Sequence, residues 1–357
     1  MNNDFEKIRI TAEDIARAHV NAPATPTPPP PPPPTLGPRQ WGSVSSVAGP
    51  ASGMANAGGA AGFFLQAWVY LSVAGLFGAF AAWAICEPAF DDTGHVRWGN
   101  IIILPLLITA ICLAFAAAES VVERSAQKGL IRGAIALPLA IVLGFDFSFL
   151  ANLLYRMGLK LILQNGGSLA PNNPAGWIVR AIAWMFFGIT AGIVYGIAGQ
   201  SWKKCLYGVG GGMLGAGLGG LFFDPISLLT GGAGASRCLG MMIFGASTGL
   251  AIGLVETALK DRWLYVSGGP LAGKQFILYK PVTQLGSQQS NEIYLFKDPS
   301  IAPVHARIEL RGGQAVLIAI GPSFVSGQPV TQRMLRSGDL IQIGRYAFQF
   351  HEKHTRR

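Results

Sequence analysis

Residues 299–310 read PSIAPVHARIEL, and the last five of them alternate between apolar and charged side chains. In an extended chain Ala306 and Ile308 point to one face, whereas Arg307 and Glu309 point to the other. This pattern predicts a β-strand with one buried face. Further short segments of this kind, separated by Gly, Pro and Ser, follow residue 261: QFILYK, EIYLF, QAVLIAI, LIQIG and YAFQF. About a hundred residues with such a pattern predict a β-sandwich.

The chain before this segment has the composition of a membrane protein. Apolar residues make up 50% of its 357 residues and charged residues only 13%, whereas soluble domains carry about 25% charged residues. A helix needs about 20 apolar residues to cross a bilayer. Six runs approach that length: residues 62–86, 101–118, 133–150, 181–198, 206–223 and 239–255. We therefore expect a six-helix transmembrane bundle over residues 61–258 and an all-β sandwich over residues 261–357.

Residues 1–60 are predicted to be a disordered segment that contains a short helix and a stiff tether. Thr11 is placed to cap an amphipathic helix, with Asp14 three residues later. Seven consecutive prolines, Pro28 to Pro34, predict a polyproline rod roughly 20 Å long. This rod is either a passive spacer or a ligand for a partner domain with an aromatic groove.

The basic residues of the loops predict that both termini lie on the cytoplasmic side of the inner (plasma) membrane. With the N-terminus inside, the inner segments hold seven Lys or Arg residues and the outer segments five, and basic residues gather on the cytoplasmic side. The segment LLYRMGLKLIL, residues 153–163, is predicted to be a separate amphipathic helix on the outer surface.

Two of the predicted spans share a stripe of glycines at every fourth position. The stripes are Gly188, Gly192 and Gly196 in one span and Gly245, Gly249 and Gly253 in the other. Each residue of the first stripe is 57 positions before its counterpart in the second. We expect both stripes to be helix-packing surfaces. A weaker counterpart in the second span is Cys112, Ala116 and Ser120. The simplest account is three copies of one helical hairpin. The stripes favour packing within the chain, with self-association and a glycine-lined conduit as alternatives.

Each hairpin also has an acid where its first helix meets the outer face and an arginine where its second helix begins. We expect each acid to pair with the arginine of its own hairpin: Glu87 with Arg97, Asp146 with Arg180, and Asp224 with Arg237. Charged residues at the ends of spans commonly pair locally in this way. The middles of all six spans are uncharged, which argues against coupled transport and ion conduction.

The sequence contains no motif that supports an enzymatic function. The segment GGPLAGK, residues 268–274, resembles a phosphate-binding loop, but Gln275 stands where Ser or Thr should bind magnesium, and a strand follows instead of a helix. The four cysteines are isolated, so no zinc site is expected, and a bridge between Cys86 and Cys238 is an alternative to plain packing. We therefore predict no enzyme, no catalytic residue, no cofactor and no metal.

The C-terminal segment resembles a known family. The stretch LGSQQSNEIYLFKDPSIAPVHARIEL, followed by LRSGDLIQIGRYAFQF, is similar to the forkhead-associated (FHA) domain over residues 264–351. The residues that carry the resemblance are Gly286, Asn291-Glu292-Ile293, Asp298-Pro299, His305-Ala306 and Gly338-Asp339. The resemblance implies an eleven-stranded sandwich that binds phosphothreonine peptides through loops at one end, with His305 bracing a loop. It places the candidate binding residues at Ser287, Asn291, Ala302, His305, Ser323 and Ser326.

The phosphate-reading residues of that family are missing from this sequence. Ser287 stands where the family has an arginine, and Ala302 where it has a serine. The loop that normally contains an Asn-Gly pair reads GPSFVSG. A phosphate needs charge-assisted donors to offset its desolvation, and none of these positions supplies one. Lys280 and Arg345 are the alternative cations for an unorthodox phosphopeptide reader.

Residues 261–357 hold twelve Lys or Arg and six Asp or Glu, so this segment is basic and suits the anionic inner leaflet. The sequence as a whole favours a membrane-anchored scaffold or signalling protein whose FHA-like domain binds a protein partner without phosphothreonine dependence. The expected partners are a protein, the lipid bilayer and a second copy of the chain, but no nucleic acid. The alternative is a transporter or channel that the FHA-like domain regulates.

Overall fold

The computed structural model describes residues 59–353 except 94, 96 and 232. The predicted helix near Thr11 and the proline tether lie outside these residues. Seven α-helices occur in the described chain, and the last six are long and apolar enough to cross a membrane. They are α1 (Gly59–Phe64), α2 (Ala67–Cys86), α3 (Trp98–Glu123), α4 (Ala126–Gln164), α5 (Pro174–Ala198), α6 (Trp202–Thr230) and α7 (Ala233–Leu259). The prediction of a six-helix membrane bundle is confirmed.

The six long helices form three hairpins, α2–α3, α4–α5 and α6–α7, around an approximate threefold arrangement. The second helices of the hairpins, α3, α5 and α7, contact one another, and each first helix packs between two of them. Contacts between α2 and α7 close the ring. Phe115, Phe187 and Phe244, one from each central helix, are at most 1% exposed, and the centroids of the Phe187 and Phe244 rings lie 5.8 Å apart.

The third span differs from its prediction. Helix α4 continues for 39 residues through LLYRMGLKLIL, so the predicted separate surface helix is wrong. At 1.5 Å per residue α4 is about 58 Å long, which exceeds the roughly 30 Å of hydrocarbon. The reason is local, because every residue from Leu150 to Leu163 is compatible with a helix interior and Gly158 alone does not end one.

The two glycine stripes lie against neighbouring hairpins. A Cβ atom at Gly192 would overlap the backbone of Gly208 in α6, and one at Gly249 would overlap the backbone of Leu71 in α2. The remaining members of each stripe show the same close approach to α6 or α2: Gly188, Gly196, Gly245 and Gly253. The close contacts therefore join hairpin to hairpin.

The ion pairs at the end of the bundle away from the sandwich also join hairpin to hairpin, so the predicted pairing within hairpins is wrong. Arg180 Nε of α5 donates to Asp224 Oδ2 of α6 at 3.0 Å. Arg237 Nη2 of α7 lies 2.6 Å from Glu87 Oε1 after α2. The physical reason is the glycine packing, which brings each arginine-bearing helix closer to the next hairpin than sequence order suggests. Arg97 pairs at 3.5 Å with Asp91, and Asp146 is exposed on α4.

The C-terminal part is the predicted β-sandwich, and that prediction is confirmed. Two sheets in the orders β2-β1-β11-β10-β7-β8 and β4-β3-β5-β6-β9 enclose a core of buried residues such as Leu264, Ile308 and Phe348. The strands are β1 (Arg262–Gly268), β2 (Gln275–Ile277), β3 (Val282–Gly286), β4 (Ile293–Tyr294), β5 (Ala306–Arg311), β6 (Gln314–Ala319), β7 (Ser323–Val325), β8 (Gln328–Pro329), β9 (Gln332–Met334), β10 (Leu340–Ile343) and β11 (Tyr346–Glu352). Cys86 and Cys238 are unbonded.

Candidate functional site

The loops after β3 and before β5 are joined by backbone hydrogen bonds at the predicted recognition end. The amide of Ser287 donates to the Ala302 carbonyl at 3.0 Å, and the buried Asn291 side-chain amide donates to the Pro303 carbonyl at 2.5 Å. A Cβ atom at Gly286 would overlap the same Pro303 carbonyl, so the glycine allows the loops to approach. The result is a closed pair of loops.

His305 fixes these loops to a third one. Its ring is 2% exposed; Nδ1 accepts a hydrogen bond from the Ala302 amide at 3.1 Å, which leaves the proton on Nε2 to be donated to the Pro322 carbonyl at 3.0 Å. Both ring nitrogens are therefore used in positioning the backbone. This arrangement agrees with the bracing role that the family resemblance implies.

The two serines of the predicted site lie at opposite ends of β7. Ser323 is buried beside the His305 contact, and its hydroxyl donates to the Gly321 carbonyl at 3.0 Å. Ser326 follows the far end of the strand, is exposed, and lies 3.4 Å from the Asp339 carboxylate. The structure thus brings together Ser287, Asn291, Ala302, His305 and Ser323, and it separates Ser326 from them.

The alternative cations are already paired with carboxylates. Lys280 Nζ lies 3.1 Å from Glu292 Oε1. Arg345 Nε lies 3.6 Å from Asp298 Oδ2, and the Ser300 hydroxyl and the Arg345 amide lower the pKa of Asp298 by hydrogen bonding to it. Each of these two cations therefore already faces a carboxylate.

The membrane bundle contacts the same loop region from outside. Ser125, which caps α4, lies 3.4 Å from the Gln289 carbonyl, and Lys128 Nζ donates to the Glu292 carbonyl at 2.9 Å. The Arg124 guanidinium lies over the Phe296 ring, 5.3 Å from its centroid. The loop between α3 and α4 therefore braces the β3–β4 loop of the sandwich.

A buried ionic cluster, here called the inner cluster, joins the helix ends that face the sandwich. Its members come from five helices: Glu119 (α3), Arg132 (α4), Tyr195 (α5), Lys204 (α6) and Glu256 (α7). Lys204 donates to Glu119, Arg132 lies 3.4 Å from Glu119, and the Tyr195 hydroxyl lies 2.9 Å from Glu119 and 3.2 Å from Glu256. The sequence did not predict this cluster, because Arg132 and Lys204 fall among the seven basic residues of the predicted inner segments. The available signal was that Glu119 and Glu256 each directly follow an apolar run, residues 101–118 and 239–255.

A cavity of about 390 Å³ lies between the inner cluster and the sandwich. The helices supply Tyr70, Arg132, Lys204 and Glu256 to its walls, and the sandwich supplies Lys274 and Tyr279. Lys274 ends the segment that resembles a phosphate-binding loop. The amides there are used within the turn, since Gly273 donates to Val266 and Lys274 to Leu271, so no phosphate cradle forms.

Comparison with known proteins agrees with this architecture. Residues 266–354 match the family described as the cytoplasmic domain of an inner membrane component of the T3SS. The glycogen accumulation regulator GarA of Mycolicibacterium smegmatis is 33% identical over 90 residues, which cover 24% of this chain and 56% of that protein. The oxoglutarate dehydrogenase inhibitor of Corynebacterium efficiens is 31% identical over 90 residues, which cover 24% and 63%. The chain therefore spans less than two thirds of the length of these relatives.

Solved FHA domains align with the same part of the chain. The FHA domain of a hypothetical protein from Arabidopsis thaliana is 26% identical and covers 28% of this chain and 90% of that one, with a TM-score of 0.25. The FHA domain of a Chlamydia trachomatis protein is 24% identical and covers 26% and 99%, with a TM-score of 0.24. Eleven strands in sheets of six and five give the C-terminal part an FHA-like fold, and the match over residues 266–354 covers the same part of the chain.

Proposed function

We propose that this protein is a membrane-anchored scaffold whose FHA domain binds a protein partner in the cytoplasm without requiring phosphothreonine. The observation that carries the proposal is the use of the loop-end donors within the fold. The Ser287 amide donates to Ala302 and the Ala302 amide to His305. Neither amide is free for a ligand, and neither side chain carries a charge.

The cost of binding a phosphate supports the same conclusion. A phosphorylated threonine carries up to two negative charges at neutral pH and needs charge-assisted hydrogen bonds from its receptor. Lys280 and Arg345 are held by Glu292 and Asp298. Without such donors the free-energy cost of desolvating the phosphate is not offset. An unphosphorylated peptide has no phosphate to desolvate and therefore does not incur this cost.

The membrane part supports an anchor better than a conduit. Each of the three central helices carries a buried phenylalanine, Phe115, Phe187 or Phe244, that is at most 1% exposed. The inner cluster lies at the helix ends that face the sandwich. We place both termini in the cytoplasm, because the basic inner segments and the basic FHA domain then share the anionic leaflet. Self-association stays a prediction, and it needs a face other than the glycine stripes, which α6 and α2 cover within the chain.

The test is an array of matched threonine and phosphothreonine peptides, probed with the full chain in nanodiscs. We expect the bound set to be the same with and without phosphorylation. A variant of Arg124 should be tested in the same assay, because Arg124 is the cation that could bind phosphate. It is exposed, lies beside Phe296 and forms no ion pair with a described residue. Phosphate-dependent binding that disappears in Arg124→Gln would contradict the proposal and assign phosphate recognition to the bundle loop.

A further inference from the structure

The cavity between the bundle and the sandwich contains one buried cation without a counter-ion. Lys274 is 6% exposed, and its ammonium lies 4.6 Å from the centroid of the Phe276 ring. Among the described residues it has no hydrogen bond and no ion pair within 4.0 Å. A buried ammonium in this situation loses hydration without full compensation.

Three further buried polar atoms around the cavity lack a hydrogen bond to any described residue. They are Arg132 Nη1, Glu256 Oε1 and the Tyr279 hydroxyl. Arg132 Nη1 still lies 3.4 Å from Glu119 Oε2. Buried polar atoms are normally satisfied, so the unpaired Lys274 ammonium beside three atoms with incomplete hydrogen bonding indicates a ligand. Two of them, the Lys274 ammonium and Arg132 Nη1, are donors for an anion. The Glu256 oxygen is an acceptor for a donor group.

The charges that line the cavity do not balance. Five basic and four acidic side chains line it, which leaves one positive charge in excess. The other basic residues have partners, since Lys128 pairs with Glu123, Arg132 with Glu119 and Glu123, Lys204 with Glu119, and Lys280 with Glu292. These four bases share three carboxylates, and among the described residues neither Lys274 nor Glu256 forms an ion pair within 4.0 Å. The net excess of one positive charge matches a singly charged anion.

We propose that this cavity binds a phosphodiester that also carries a hydroxyl or ammonium group, with the phosphodiester at Lys274 and Arg132 and the donor group at Glu256 and Tyr279. The volume of about 390 Å³ falls within the range of small-molecule sites. The helical part of the cavity wall comes from the ends of membrane helices that face the sandwich, and lipid head groups lie near the ends of such helices. The phosphodiester comes either from a lipid head group or from a soluble diester.

Binding there would join the two parts of the chain. Arg132 and Glu256 belong to the bundle, whereas Lys274 and Tyr279 belong to the FHA domain, so one ligand contacts both. A ligand that binds only the folded arrangement stabilises it in proportion to its occupancy. Burial lowers the pKa of Lys274 to about 8, although Glu123 and Glu119 oppose this shift, and an anion beside the ammonium would raise the pKa again.

The experiment uses the full chain, purified and delipidated in detergent, with native mass spectrometry and thermal unfolding as readouts. The probes are phosphatidylglycerol, phosphatidylcholine, whose trimethylammonium group has no N–H to donate, and soluble glycerophosphoglycerol. The variants are Lys274→Met, Lys274→Arg to preserve the charge if the first folds poorly, and Lys160→Met as a control on an exposed lysine at the end of α4.

We expect phosphatidylglycerol to be retained and to raise Tm, with phosphatidylcholine at least tenfold weaker. Lys274→Met should abolish both effects, while Lys274→Arg and Lys160→Met keep them. A Tm shift with glycerophosphoglycerol but no lipid retention would support the soluble diester as the source. Equal retention in wild type and Lys274→Met, or no effect of either diester on wild type, would overturn the proposal.

Discussion

Arg237 of α7 binds Glu87 at the end of α2 through two hydrogen bonds, Nε to Oε2 at 3.0 Å and Nη2 to Oε1 at 2.6 Å. These residues are 150 positions apart, and the pair connects the last hairpin to the first. The Arg237 guanidinium also lies 4.0 Å from the centroid of the Phe90 ring and contacts Asp92. The pair therefore closes the rim of the bundle at the end away from the sandwich.

Arg237→Gln is expected to destabilise the protein by about 1–3 kcal/mol, because it removes charge-assisted hydrogen bonds to a partly buried carboxylate. Thermal or denaturant unfolding in detergent measures the change. Arg97→Gln is the matched control: Arg97 is 62% exposed at its side chain and pairs with Asp91 at 3.5 Å, so a loss below about 1 kcal/mol is expected.

A double-mutant cycle distinguishes ring closure from pairing within the hairpin. Arg237→Gln should be coupled to Glu87→Gln and additive with Asp224→Asn, because Asp224 is bound by Arg180 instead. Coupling of Arg237 to Asp224 with none to Glu87 would contradict the observed rim.

Gly192→Ala is expected to destabilise the bundle by about 1–3 kcal/mol, because the added methyl group overlaps the backbone of Gly208. Gly210→Ala is a matched control in α6, since a Cβ atom there meets no atom within 4 Å. Alanine should stabilise that position by up to about 1 kcal/mol through helix propensity. Equal effects of the two substitutions on Tm would show that the glycine stripe is not a close-packed surface.

His305→Ala is expected to destabilise the FHA domain by about 1–3 kcal/mol, because it leaves the Ala302 amide and the Pro322 carbonyl without their partner. Unfolding of the full chain followed by tryptophan fluorescence measures the loss. Ser326→Ala serves as the control, since this exposed serine makes one long contact with Asp339 and should change stability by less than about 0.5 kcal/mol. If His305→Ala left the stability of the domain unchanged, His305 would not brace the loops.

Because Lys274 is unpaired, the stability of the lipid-free protein is expected to depend on pH. Its folded-state pKa is about 8, below its ordinary value of 10.5, so between these values the unfolded chain binds more protons and stability rises with pH. The stability of Lys274→Met relative to wild type should therefore be greatest below pH 8 and shrink toward pH 10.5. A pH-independent difference would show that the ammonium is compensated.

The sequence predicts the two folds well because their signals are local. Twenty-residue apolar runs and the alternation of Ala306, Arg307 and Ile308 each depend on neighbours in the chain. The partner of Arg237 could not be predicted, since it depends on contact between α2 and α7. The same limit hid the inner cluster, because nothing near Lys204 in the sequence shows that Glu119 lies beside it.

The central claim is that the loop end of the FHA domain does not recognise phosphate. The most direct test is the affinity of the full chain in nanodiscs for a bound peptide and its phosphothreonine form, measured by calorimetry beside the variant Ser287→Arg with Ala302→Ser. We expect a ratio near one for the wild type and at least a tenfold preference for the phosphopeptide in the variant, because it regains a charge-assisted donor. A tenfold or greater preference for the phosphopeptide in the wild type would contradict the claim.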